Sequence, residues 1–155
     1  MPPTTAAQTA QQTRSGWSRL HQRTDALRGV VASLDAGRPL TWDDDLADAF
    51  DDLDDLLATL HGTWSRRLQC RIDLVLESGR LGLTEAVADA WAATARDLPG
   101  LRRALDEHAA RPRVRALDRA EQRLVAIAAG RATFTDPVDL SAAAGASLVA
   151  SARAA

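Results

Sequence analysis

Imidazole and carboxylate side chains on facing helices can hold a divalent ion, and this chain of 155 residues carries three histidines, His21, His61 and His108. Each falls within or beside the apolar stripe of a different predicted helix. Helical bundles do build metal centres from facing helices, and three imidazoles with a fourth position open would resemble a catalytic zinc centre. The spacing argues against it. No HxxxH or ExxH pair occurs, so no two ligands are pre-arranged on one helix. The glutamates are Glu77, Glu85, Glu107 and Glu121; none begins an ExxH, which removes the di-iron carboxylate pattern. The expectation is three boundary histidines with hydrogen-bonded rings, and neither a metal nor another cofactor.

Nucleophilic chemistry has one candidate, the single cysteine Cys70. On a helical projection it points about 100° or more away from the apolar line of its helix. Arg66, Arg67 and Arg71 lie near enough in sequence to lower its pKa. No base accompanies it, so an inert thiol is expected. Phosphate-cradling loops are missing: neither GxxxxGK[ST] nor GxGxxG occurs, and GRLG at 79–82 is too short for either.

A basic cluster spans RPRVRALDR at 111–119, extended by Arg102, Arg103 and Arg123. Phosphate contacts need such clusters. Aromatic interleaving is absent there, which argues against a platform for single strands. The pI near 5.9 is below that of a nucleic-acid-binding domain. Nucleic acid is therefore not the expected partner. An opposing acidic run, with eight Asp and no Arg, occupies 41–61. The simplest expectation is that the two segments face each other in the fold.

The sharpest anomaly is a pair of charges in apolar sectors. Arg71 projects into the stripe of Phe50, Leu53, Leu57, Trp64 and Val75, with Arg67 at its edge. Glu121 projects among Val114, Leu117, Leu124, Val125 and Ala128. A buried unpaired charge is very costly. The reading that resolves both is a buried Arg71–Glu121 pair between two helices.

The elements that must position these residues are helical throughout. Residues 1–14 read as a disordered tail, rich in Pro, Thr, Gln and Ala, and 15–152 as a single domain. A first helix runs from Ser15 to Ala36, with Trp17, Leu20, Thr24, Leu27, Val31 and Leu34 in a heptad-like seam. Thr41 opens a long second helix reaching Glu77 or Ser78; its Gly62 costs about 1 kcal/mol of propensity without breaking it. A third helix opens at Thr84 and ends at Leu98-Pro99-Gly100, with Trp91 on its apolar face. A fourth stripe starts at Leu101, is broken near Arg111–Arg113 by Pro112, and resumes to Ala128. A last helix starts at Asp136-Pro137. No strand signal is visible. The fold class is all-α: an up-down helical bundle of about four main helices, with a break near Pro112 and a short C-terminal helix.

With one cysteine, no apolar leader segment and no run of about 20 apolar residues, the chain reads as cytoplasmic, with no membrane partner. Four tryptophans without a catalytic set point to a non-enzymatic helical interaction module, self-associating or an adaptor for another protein. The alternative is a helical enzyme or small-ligand carrier with a polar pocket around His61, Arg71 and His108. Convergence of those three side chains on one cavity would favour the alternative; scattering would leave the module.

Overall fold

Apolar residues recurring every three or four positions demand helices that bury one stripe, and the helices at the centre of the bundle do so. The structure, a computed structural model, describes residues 5–154, with side chains from 16 onward. It contains α1 (Thr5–Asp35), α2 (Asp44–Ala49), α3 (Leu53–Glu77), α4 (Leu83–Asp97), α5 (Pro99–Glu107), α6 (Pro112–Ala128) and α7 (Val138–Ala154). No strand occurs among the described residues. The fold is an all-helical bundle. No helix among these residues is long and apolar enough to cross a membrane.

The core forms around α3, whose Leu56, Leu57, Leu60, Trp64, Leu68 and Ile72 are buried at helical spacing. Helices α4, α5 and α6 pack against it. They contribute Val87 and Trp91, Leu101 and Leu105, and Val114 and Val125. Helix α7 covers α6 and α4, while α1 lies on α5 and α2. Three contacts set the register of α3 on α6: Asp54 with Arg111, His61 with Asp118, and Trp64 with Glu121. Each joins residues 57 apart, so the two helices run parallel, with α4 and α5 together carrying the chain back. Of the facing acidic and basic segments, Asp54–Arg111 is the ion pair that joins them, at 2.5 Å.

Several boundaries differ from expectation. Helix α1 begins at Thr5, upstream of Ser15; residues 1–4 of the tail lie outside the described residues. The long second helix is two helices. Asp43, not Thr41, caps α2, its carboxylate accepting from Leu46 N at 2.9 Å. Phe50 and Asp52 are extended, and the Asp52 carboxylate caps α3 by accepting from Asp55 N at 2.7 Å. Short acidic side chains offer the backbone a competing partner, which is why the run at 50–52 leaves the helix. Arg23 then fastens the break to α1. It holds Asp55 through two bonds of 2.7 and 2.8 Å, reaches Thr59 at 2.9 Å, and sits over the buried Phe50 ring. That hydrogen-bonded guanidinium holds the Asp55 carboxyl below its ordinary range.

The break at Pro112 is present, with proline at the favoured first turn of α6. The C-terminal helix is not short: at 17 residues it equals α6. Asp136 does not cap it. Its carboxylate accepts from Thr133 N at 2.6 Å, within the preceding turn, and Pro137 O accepts the first helical bond.

Gly62 sits inside α3 with no atom nearer to an added methyl than the flexible end of Arg66, 3.7 Å away. Gly62→Ala should therefore raise unfolding free energy by about 1 kcal/mol, the helix propensity difference. Chemical denaturation checks this; a loss of stability would show the site to be filled.

Candidate functional site

Polar side chains gather at one level of the bundle, where α3, α4, α5 and α6 meet. Helix α3 brings His61, Trp64 and Ser65, three and four residues apart and hence on one face. Helix α6 brings Asp118 and Glu121 with the same three-residue step. Trp91 comes from α4 and Arg102 from α5. His61, Trp64, Trp91, Arg102 and Glu121 are all buried.

Glu121 is the centre. Its Oε2 accepts from Trp64 Nε1 at 2.7 Å and its Oε1 from Trp91 Nε1 at 3.1 Å. Each oxygen is thus fixed by one indole, and the two indoles meet edge to face at 5.5 Å. Burial pushes the Glu121 carboxyl above the ordinary glutamate range, opposed chiefly by the positive charge of Arg102 and by the Trp91 hydrogen bond. Arg102 lies over the Trp64 ring at 5.0 Å and reaches Asp118 at 3.5 Å and Asp106 at 2.9 Å. Arg153 of α7 grips Asp106 through two bonds of 2.8 Å while lying over Trp91. For Asp106, burial acts upward, but the Arg153 hydrogen bond and the charges of Arg102 and Arg153 outweigh it and hold the carboxyl low.

His61 completes the cluster. Its Nδ1 pairs with Ser65 Oγ at 3.1 Å. Its Nε2 is buried and makes no hydrogen bond of good geometry, although Asp118 Oδ1 lies 3.3 Å away and Glu121 Oε2 3.5 Å away. A cleft of about 270 Å³ beside it is bordered by Gly62, Gln69, Leu117 and Leu124.

Of the residues singled out from sequence, His61, Trp64 and Glu121 come together here; the others do not. Arg71 does not meet Glu121. It binds Asp97 at 2.5 Å and reaches Thr94 Oγ1 at 3.4 Å, and that pairing lowers the Asp97 carboxyl. The register explains the difference. An offset of 57 places Arg71 opposite position 128 (71 + 57), at the far end of α6, and places Trp64 opposite Glu121. Arg67 is exposed. His108 ends α5, with its Nδ1 at 2.8 Å from Ala104 O. His61, Arg71 and His108 therefore share no set of contacts, and the pocket around all three that the alternative reading requires is not assembled. His21 stacks on Trp17 near the middle of α1, and Cys70 is exposed.

Sequence reasoning missed Arg102, Asp118 as a partner of His61, and the role of Trp91 as a donor. One signal was present: a buried indole N–H needs an acceptor, and Glu121 was the charged residue already assigned to an apolar sector. The basic cluster is largely committed to structure. Arg111 holds Asp54, Arg119 pairs with Asp139, and Arg123 donates to Phe134 O, Asp136 O and Ser141 Oγ. No known protein family, curated protein or solved structure matches the chain.

Proposed function

We propose that the protein is a non-enzymatic helical interaction module that self-associates through the Trp17–Leu20 end of the α1 seam. One observation carries this reading: the heptad-like seam of α1 is covered at one end and bare at the other. Leu34 is buried and Val31 and Leu27 are half-buried, whereas Leu20 and Trp17 are 58% and 60% exposed. A seam with period 3.5 is a surface for another helix. The bundle covers only its inner part.

The occupant that suits it is a second copy of the chain, whose own bare apolar seam can meet it across a two-fold axis. A net charge of −2 offers little repulsion to such pairing. Beside Leu20, a groove of about 710 Å³ between α1 and α2 reaches Phe50, leaving room for side chains of the second copy. Covering a large apolar side chain stabilises by about 1.5–3 kcal/mol, while association costs roughly 4–15 kcal/mol. Two such residues per chain therefore support a reversible dimer rather than an obligate one. The reading as a ligand carrier or enzyme keeps only His61 of its three residues.

In light-scattering chromatography, replacing both Trp17 and Leu20 with serine should shift the protein from dimer to monomer with an unchanged helical circular-dichroism spectrum. A variant that keeps the dimer mass would place the interface elsewhere. A wild type that is monomeric, yet binds another helical protein through the same two residues, would make it an adaptor instead.

A further inference from the structure

His61 Nε2 is a buried lone pair or N–H that no bond of good geometry satisfies, facing two carboxylates beside an open cleft. Buried polar atoms are rarely left so. We propose that His61 Nε2, Asp118 Oδ1 and Glu121 Oε2 form a three-ligand site for a divalent first-row transition ion, with zinc as the best fit.

Geometry supports this first. One ligand atom from each of the three residues lies within 4.8 Å of the other two. Ligands bound at about 2.0–2.2 Å in a tetrahedron stand roughly 3.4 Å apart, and His61 Nε2 lies 3.3 and 3.5 Å from the two carboxylate oxygens. Asp118 and Glu121 are one helical turn apart on α6, so the backbone presents both to α3 without rearrangement.

The surrounding groups are those a metal site needs. A ligating histidine normally donates its other ring N–H to an acceptor, which fixes the tautomer; Ser65 Oγ stands 3.1 Å from Nδ1 for this purpose. A ligating carboxylate is normally held by hydrogen bonds, and Glu121 has one indole on each oxygen. Trp64 shares Oε2 with the ion, which a carboxylate oxygen with two lone pairs allows. Two carboxylates balance a dication, and Arg102, 3.5 Å from Asp118, stays outside the ligand set.

The donor set narrows the ion. One imidazole and two carboxylates suit zinc, manganese or ferrous iron and offer no sulfur for Cu(I). Three ligands are too few for calcium, which takes six to eight oxygens. His61 and Glu121 also line the cleft of about 270 Å³, from which water or a small ligand would complete the shell.

Titration calorimetry of the chelator-stripped full chain with zinc sulfate tests this. One zinc per chain is expected. His61→Gln and Asp118→Asn should each weaken binding at least about 10-fold, and Ser65→Ala by about 10-fold through the ring it orients. Circular dichroism of the metal-free variants shows whether they fold; should His61→Gln fail, Asp118→Asn, altered at a half-buried side chain, decides. Cobalt(II) in place of zinc should give the intense visible bands of a four-coordinate ion, lost in Asp118→Asn. Absence of saturable binding to the wild type would overturn the site and leave His61 as a buried imidazole packed between two carboxylates. Binding retained within about twofold by Asp118→Asn would also overturn it, placing the ion elsewhere, for example at Cys70.

Discussion

Replacing Trp64 with alanine should lower the free energy of unfolding by about 3–5 kcal/mol, the range for emptying a large aromatic site in a packed core. Trp64 is fully buried, packs edge to face on Trp91, and gives its N–H to Glu121. Trp64→Phe separates packing from hydrogen bonding. It keeps most of the ring volume but withdraws a donor from a charged acceptor, at about 1.5–3 kcal/mol. The alanine variant should therefore lose clearly more than the phenylalanine one. Denaturant unfolding measures both. Equal losses would assign the whole effect to the Glu121 bond; a loss below about 1 kcal/mol for alanine would mean the ring is not in the core.

The second large effect is expected at Gly145. Helices α6 and α7 form the most extensive interface of the bundle. A methyl group at Gly145 would overlap the backbone carbonyl of Gln122 on α6. The obstructing atoms belong to a helix backbone, so no rotamer change relieves the overlap and the helices must part. Gly145→Ala should cost about 3 kcal/mol, the upper end for overpacking, and Gly145→Val should cost more. That the same substitution at Gly62 should stabilise makes the pair diagnostic: helix propensity favours alanine at both positions, and only the neighbour differs. A Gly145→Ala protein within about 0.5 kcal/mol of the parent would show that α6 and α7 do not approach this closely.

The apolar face of each helix was legible in the sequence because burial obeys the helical period. Trp64 and Trp91 fell on their lines and are buried, and Pro112 marked a true break. Glu121 was legible as a charge in an apolar sector. Its partners were not, because projection gives the angle of a side chain around its helix and not its height along the bundle. Arg71 and Glu121 satisfied the angular test and failed the axial one, by seven residues of α3, or about 10 Å. The break at 50–52 was hidden for a related reason. Phe50 continues the apolar line of α3 and is buried, so periodicity alone ran through it, while the capping carboxylates Asp43 and Asp52 decided the boundaries. Arg102 was unreadable as a core residue because its Asp106 pair, four residues on along α5, has the spacing of an ordinary surface pair, and the Asp118 contact arises only once α5 and α6 pack together.

The solution mass of the unaltered chain, followed by sedimentation equilibrium over a wide dilution series, tests self-association most directly. The bare α1 seam predicts a mass that rises with concentration from that of a 16.6 kDa chain toward twice that value. A mass that stays at one chain across the whole series, with the helical spectrum intact, would contradict it.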